Sequence, residues 1–211
     1  MRKYLMCLFL ATIISCKNDK ETKTKEVKEE KKEVISEIEP ISEASIPLVS
    51  RWTKNNMTIV ESEQDDYNAI ILSRTDASKP AFTSFENVQI YNGSTYKISV
   101  LVKGAEKQSA FGMRVQSKYP NRVDAVFDLD SGKVIDVKHL GKGLADNVKA
   151  EIEHKTDGWY LCTITADLFE DSIRVIFGPT NSSLKPEIWE VKTGENNSVY
   201  LEPSSFKILE F

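Results

Sequence analysis

The sequence is short of the residues from which most recognisable chemistry is built. It has two histidines, His139 and His154, with no cysteine or carboxylate at ligand spacing from either, which argues against a zinc site. Its nine glycines form neither a phosphate-cradling loop nor a Gly-x-Ser-x-Gly elbow. Glu151 and Glu153 would share one strand face, but with 32 acidic residues in the chain such a pair reads as surface charge. A catalytic constellation is therefore not visible, and the chain is not expected to be an enzyme. A basic stripe is also missing. The net charge is -4 and the pI near 5.4, which argues against a nucleic-acid partner. Of three cysteines, Cys7 and Cys16 are N-terminal and Cys162 stands alone in an apolar stretch. It reads as a small buried hydrophobe with no disulfide partner in a processed chain. Finally, the apolar run from Leu5 to Ile14 falls short of the roughly 20 residues that span a bilayer.

What is there begins with Met1-Arg2-Lys3, the apolar run, and then Ser15-Cys16. This is the layout of a secretory signal: a basic start, a short apolar core and a small residue at the cleavage point. Ile13-Ile14-Ser15-Cys16 resembles the lipobox of bacterial lipoproteins. The resemblance implies cleavage before Cys16, acyl chains on that cysteine and stable anchoring to a membrane, which takes two or more chains. Lys17 stands where an inner-membrane retention signal would have Asp, and Lys17 to Glu21 resembles the charged export signal of Bacteroidota surface lipoproteins. The expected location is the cell envelope, lipid-anchored, at the outer membrane.

Residues 1–15 thus read as a signal peptide and 16–45 as the lipidated Cys16 with a Lys/Glu-rich tether. The run Lys28-Glu29-Glu30-Lys31-Lys32-Glu33 and the lack of aromatics leave too little apolar surface to offset ordering entropy. Such a tether would hold a domain off the membrane.

From 46 to 211 the pattern changes. Short runs rich in β-branched and aromatic residues alternate with Gly, Asn, Asp and Pro. Strands are expected at Met57 to Glu61, Asn68 to Arg74, Ala81 to Val88, Thr95 to Lys103, Ala110 to Ser117, Val123 to Leu129 and Val134 to Val137. Further ones fall at Lys149 to His154, Trp159 to Ala166, Ser172 to Phe177 and Ser198 to Phe211. Helix-period segments are missing, so the fold class is all-β, an antiparallel sandwich or barrel. Alternation puts Tyr96, Ile98, Val100 and Val102 on a core face, as it does Phe111, Met113 and Val115. Arg114, Gln116 and Arg174 then fall on the opposite face.

Three stretches carry a resemblance: Thr95-Tyr96-Lys97-Ile98-Ser99-Val100-Leu101-Val102-Lys103-Gly104, Phe127-Asp128-Leu129-Asp130-Ser131-Gly132, and Gly158-Trp159-Tyr160. In that order they are similar to the jelly-roll modules of the carbohydrate-binding type, over roughly Trp52 to Phe211. The family's arginine after Gly-Trp-Tyr is Leu161 here, and its closing Trp-Gly strand is replaced by Tyr200-Leu201-Glu202-Pro203. The Gln-x-His strand of jelly-roll lyases is not matched either, since the nearest string is Gln89-Ile90-Tyr91.

The resemblance implies a jelly-roll sandwich that binds a poly- or oligosaccharide. The other readings are docking onto an envelope protein and, less favoured, a small lyase or hydrolase. Sugar contacts are expected from Arg114, Gln116 and Arg174, with Tyr91 and Trp189 as aromatic platforms. Trp159 reads as core, while Trp189 reads equally as a lid. Because such sandwiches often hold a structural calcium, Asp128 and Asp130 are offered as ligands, with hairpin-turn closure as the simpler account.

Overall fold

Period-two alternation over so many short runs demands two apolar sheet faces buried against each other, and the computed structural model shows that arrangement. It describes residues 39–64, 67–107 and 109–211. Residues 1–38, which include the expected signal, Cys16 and most of the tether, lie outside the described residues. In chain order the strands are β1 (Ser42–Glu43), β2 (Thr53–Asn55), β3 (Met57–Gln64), β4 (Tyr67–Arg74), β5 (Phe82–Gln89) and β6 (Ser94–Gly104). There follow β7 (Ser109–Gln116), β8 (Arg122–Asp128), β9 (Lys133–Leu140), β10 (Ala145–His154), β11 (Trp159–Leu168), β12 (Ser172–Asn181) and β13 (Ser198–Glu210). Each expected strand is present.

The first sheet has the order β10-β11-β6-β13-β4-β3, with β1 on β13, and the second the order β2-β5-β12-β7-β8-β9. Every pairing is antiparallel. The central strands β4-β13-β6-β11 and β5-β12-β7-β8 carry the chain from one sheet to the other at β4–β5–β6–β7 and again at β11–β12–β13. That strand order is a jelly roll; β9 and β10 widen the two sheets beside it.

The core lies between the sheets and includes Tyr96, Ile98, Val100, Val102, Phe111, Met113 and Val115, as alternation requires. Trp52, Phe85, Phe177 and Phe206 meet edge-to-face or tilted, with centroids 5.1–6.2 Å apart, a favoured geometry for aromatic pairs. Cys162 is fully buried in this core, and burial pushes its thiol well above the usual range.

Trp159 is buried, as expected of a core residue, in a second apolar cluster that it forms with Leu161 on the outside of the first sheet, against Ala69, Leu101, Tyr67 and Tyr200. Cys162 and Ile164 take the inward positions. One expectation is corrected: the folded unit begins ahead of Ile46. The Ile41 N–H donates to the Glu210 carbonyl at 2.8 Å and the Ser42 hydroxyl to the Glu210 carboxylate at 2.6 Å. From β1 on the first sheet the chain crosses through the turn Val49–Arg51 to β2 on the second.

Candidate ligand-binding cleft

The outer face of the second sheet is where alternation places Arg114, Gln116 and Arg174, and the structure divides that face in two. One part is covered by the protein's own chain. Gly112 on β7 and Gly178 on β12 are cross-strand partners, and their missing side chains leave a flat floor. The β12–β13 connection, residues 182–197, lays Trp189 over it among Ala110, Val126, Ile176 and Phe82. Trp189 is 0% exposed. It is the lid, and not a platform for a ligand.

Charge holds this lid down. Arg114 is 5% exposed. Its Nε donates to Asp124, and Nη1 and Nη2 donate to the two Glu190 oxygens at 2.9 and 2.8 Å. Its guanidinium carbon lies 5.9 Å from the Trp189 ring centroid. Arg122 donates to Asp124 at 2.9 Å and to the Glu187 carbonyl at 3.0 Å. Arg74, arriving from β4, gives its N–H groups to the carbonyls of Pro179, Val191 and Trp189 at 2.8–3.2 Å. Burial pulls its pKa down to about 10. Every contact the Arg114 guanidinium makes is internal, so the structure places it in the framework and not at a ligand's edge.

The second part of the face is open. Here Arg174 and Gln116 are cross-strand partners on β12 and β7. β5 lies on the other side of β12, and its pairing shifts register between Ile173 and Val175. Asn87, with φ +59°, sits at that irregularity. Phe85 and Val88 both face the core, so Glu86 and Asn87 form a bulge beside Arg174. Ser117 and Lys118 come from the β7–β8 turn, Glu170 from the β11–β12 turn and Ser172 from the start of β12. Together they enclose a cleft of about 400 Å³. Tyr119 in the β7–β8 turn is 71% exposed, with the Arg122 guanidinium 5.5 Å from its ring centroid.

Arg174 is held in place at this cleft. Nη2 donates to the Ser84 hydroxyl at 2.9 Å, and the guanidinium carbon stands 5.5 Å from the Phe82 ring centroid. Nε is 3.2 Å from Glu86 Oε1, within ion-pair reach but out of line for a hydrogen bond. Ser117 Oγ is buried and likewise has no hydrogen-bond partner among the described residues. The cleft thus combines amide, hydroxyl, guanidinium and carboxylate groups, both donors and acceptors.

Tyr91 is elsewhere. It is exposed on the β5–β6 turn, where its backbone N–H donates to the Tyr96 hydroxyl at 2.7 Å, and it lines a separate cleft with Glu43 and Asp171. Of the expected contacts, Gln116 and Arg174 come together, and Arg114, Trp189 and Tyr91 do not join them. The residues missed, Glu86, Asn87, Ser117 and Lys118, had one sequence signal. Phe85 and Val88 are both apolar with two polar residues between them, which breaks period two as a bulge does.

Asp128 and Asp130 sit at the β8–β9 turn. Asp128 Oδ1 accepts the backbone N–H groups of Asp130 and Ser131 at 2.9 and 3.1 Å, and Oδ2 accepts the Ser131 hydroxyl at 2.8 Å. Burial opposes ionisation, but these donors outweigh it and hold the carboxyl below its ordinary range. Both oxygens are engaged in closing the turn. Among the described residues no three His, Cys, Asp or Glu side chains converge as a metal would need. The hydrogen bonds at Asp128 are those of turn closure. Asp128→Ala should cost about 1 kcal/mol in urea denaturation, equally in calcium and in chelator; a loss seen only with calcium present would reassign the carboxylate to the ion. Glu151 and Glu153 are each ion-paired to a nearby lysine, Lys149 and Lys155, at 2.6 Å.

No protein-family model matches this chain, and a search of curated proteins finds no significant match.

Proposed function

We propose that the chain is a cell-envelope lipoprotein, anchored by lipid on Cys16, whose sandwich binds a poly- or oligosaccharide in the cleft between β5, β12 and the β7–β8 turn. The observation that carries the sugar reading is the buried Ser117 Oγ beside the cleft, which has no hydrogen-bond partner among the described residues. An unmet buried polar group costs about 1–3 kcal/mol. A sugar, whose adjacent hydroxyls donate and accept at once, is suited to relieve such a cost. The amides of Asn87 and Gln116 add further donors and acceptors. The ring of Tyr119 in the same turn supplies an exposed apolar face. The anchoring reading is supported by Ile13-Ile14-Ser15-Cys16 and by the tether that follows.

Binding is tested on a glycan array with Ile38–Phe211, the compact unit that contains β1 to β13. Hits are then titrated against Gln116→Ala and Arg174→Ala. Each substitution should weaken binding by about tenfold, the scale of one hydrogen bond to a charged or well-aligned group. A blank array from folded protein would overturn the sugar reading and favour docking onto an envelope protein.

A further inference from the structure

We infer that Glu86 sets the charge of the ligand, so that the cleft admits neutral sugars and turns away uronates and other anionic ones. This rests on the sugar-binding reading of the cleft. The charged groups lining it are Arg174 and Lys118 against Glu86 and Glu170, two of each sign, so the cleft offers an anion no net attraction. The detail at Arg174 goes further. A guanidinium fork is the preferred partner of a carboxylate, which it meets with two parallel bonds. In this cleft the fork already has company: Ser84 Oγ accepts from Nη2, and Glu86 Oε1 stands 3.2 Å from Nε.

An incoming uronate carboxylate would have to displace Glu86 and then sit beside its like charge. A neutral sugar hydroxyl has no such conflict. It can accept from the remaining Arg174 N–H groups and donate to Glu86. The β5 bulge, where Asn87 takes a left-handed backbone, sets Glu86 beside the fork, with its carboxylate 3.2 Å from Arg174 Nε. The Glu86 side chain is 50% exposed, which makes the pair weak in itself and responsive to salt.

The test titrates the full chain, in detergent, with neutral hexose oligomers and with uronate oligomers of equal length, at low and high salt. Wild type should bind the neutral series at least about tenfold more tightly. Glu86→Gln should raise uronate affinity about tenfold, the scale of a charge-assisted fork, with the gain fading as salt rises. The readout is the ratio of uronate to neutral affinity: the amide keeps an acceptor for the sugar hydroxyl but without its charge, so neutral binding should weaken by up to about tenfold. Glu170→Gln makes the same change in cleft charge away from the Arg174 fork, and should recover distinctly less uronate binding. Equal affinity of wild type for both series, or no gain in Glu86→Gln, would overturn the role of Glu86 while leaving a sugar site standing. Failure of wild type to bind either series would overturn the sugar reading itself, and this inference with it.

Discussion

Replacing Arg114 with alanine should remove about 3–5 kcal/mol of folding free energy, the cost of breaking a buried ion pair from one side. The expected loss is this large because of what remains behind. Asp124 is 0% exposed and would keep only Arg122, and Glu190 would lose both of its 2.8–2.9 Å donors. The stacked face of Trp189 would also be uncovered. At roughly 2–4 °C per kcal/mol for a unit of this size, the melting temperature should fall by at least about 6 °C. Trp52, Trp159 and Trp189 are all buried, so lifting the lid should also red-shift the native emission. Arg114→Lys should restore little, since a point charge cannot bridge two carboxylates as a fork does. Arg114→Met is the useful control. It retains most of the stem's packing, so a stability near wild type would show that charge pairing is not what holds the lid. A loss below about 1 kcal/mol in Arg114→Ala would place this cluster in the class of exposed pairs. Weaker sugar binding in the same variant would report the loosened lid and not a missing contact.

Much of this molecule is legible in period two. Alternation placed the strands and told the core side of β6, β7 and β12 from the other side, because a one-residue slip would turn every side chain over. What alternation cannot tell is whether a non-core face meets water. Arg114, Asp124 and Val126 sit on such a face and are buried, because a connection with no period of its own returns across them. That connection is mostly Ser, Lys, Glu, Asn, Thr, Gly and Pro, with Leu184, Ile188 and Val191 at no regular period around Trp189, and the contacts that bury Trp189 under it come from strands distant in sequence. Trp159 reads as core and is buried, but the face on which it is buried is not legible. An apolar alternate set does not say which of two faces it serves when both are covered, and here Leu161 and Trp159 close the outer one. Gly112 was the legible clue. A glycine in mid-strand where no turn is needed marks a bulge or a close approach; its neighbours on β7 run in even register with β8 and β12, which leaves close approach.

That close approach yields the second large effect. A Cβ at position 112 would lie 2.2 Å from Trp189 Cδ2, 2.3 Å from Cε3 and 2.7 Å from Cγ. A fully buried indole has no slack to give, so Gly112→Ala should cost about 1–3 kcal/mol or more, the range for an overfilled core. The cost would be steric and not conformational, since the backbone at Gly112 lies outside the left-handed region. Gly178→Ala, its cross-strand partner, provides the contrast. Its nearest neighbours would stand at 3.7–3.9 Å, ordinary contact, so that variant should be near neutral. Trp189→Ala alone should cost about 3–5 kcal/mol, as for other buried Trp truncations. The deciding measurement is the double-mutant cycle by urea denaturation. With the indole gone, alanine at 112 has nothing to strike and replaces a flexible mid-strand glycine, so it should be neutral or stabilise by about 0.5–1 kcal/mol. The two substitutions should therefore couple by at least about 1 kcal/mol, well outside the additivity of independent sites. Additive costs would mean that Gly112 is required for some reason other than the ring, and the lid would then have to be explained by its arginine contacts alone.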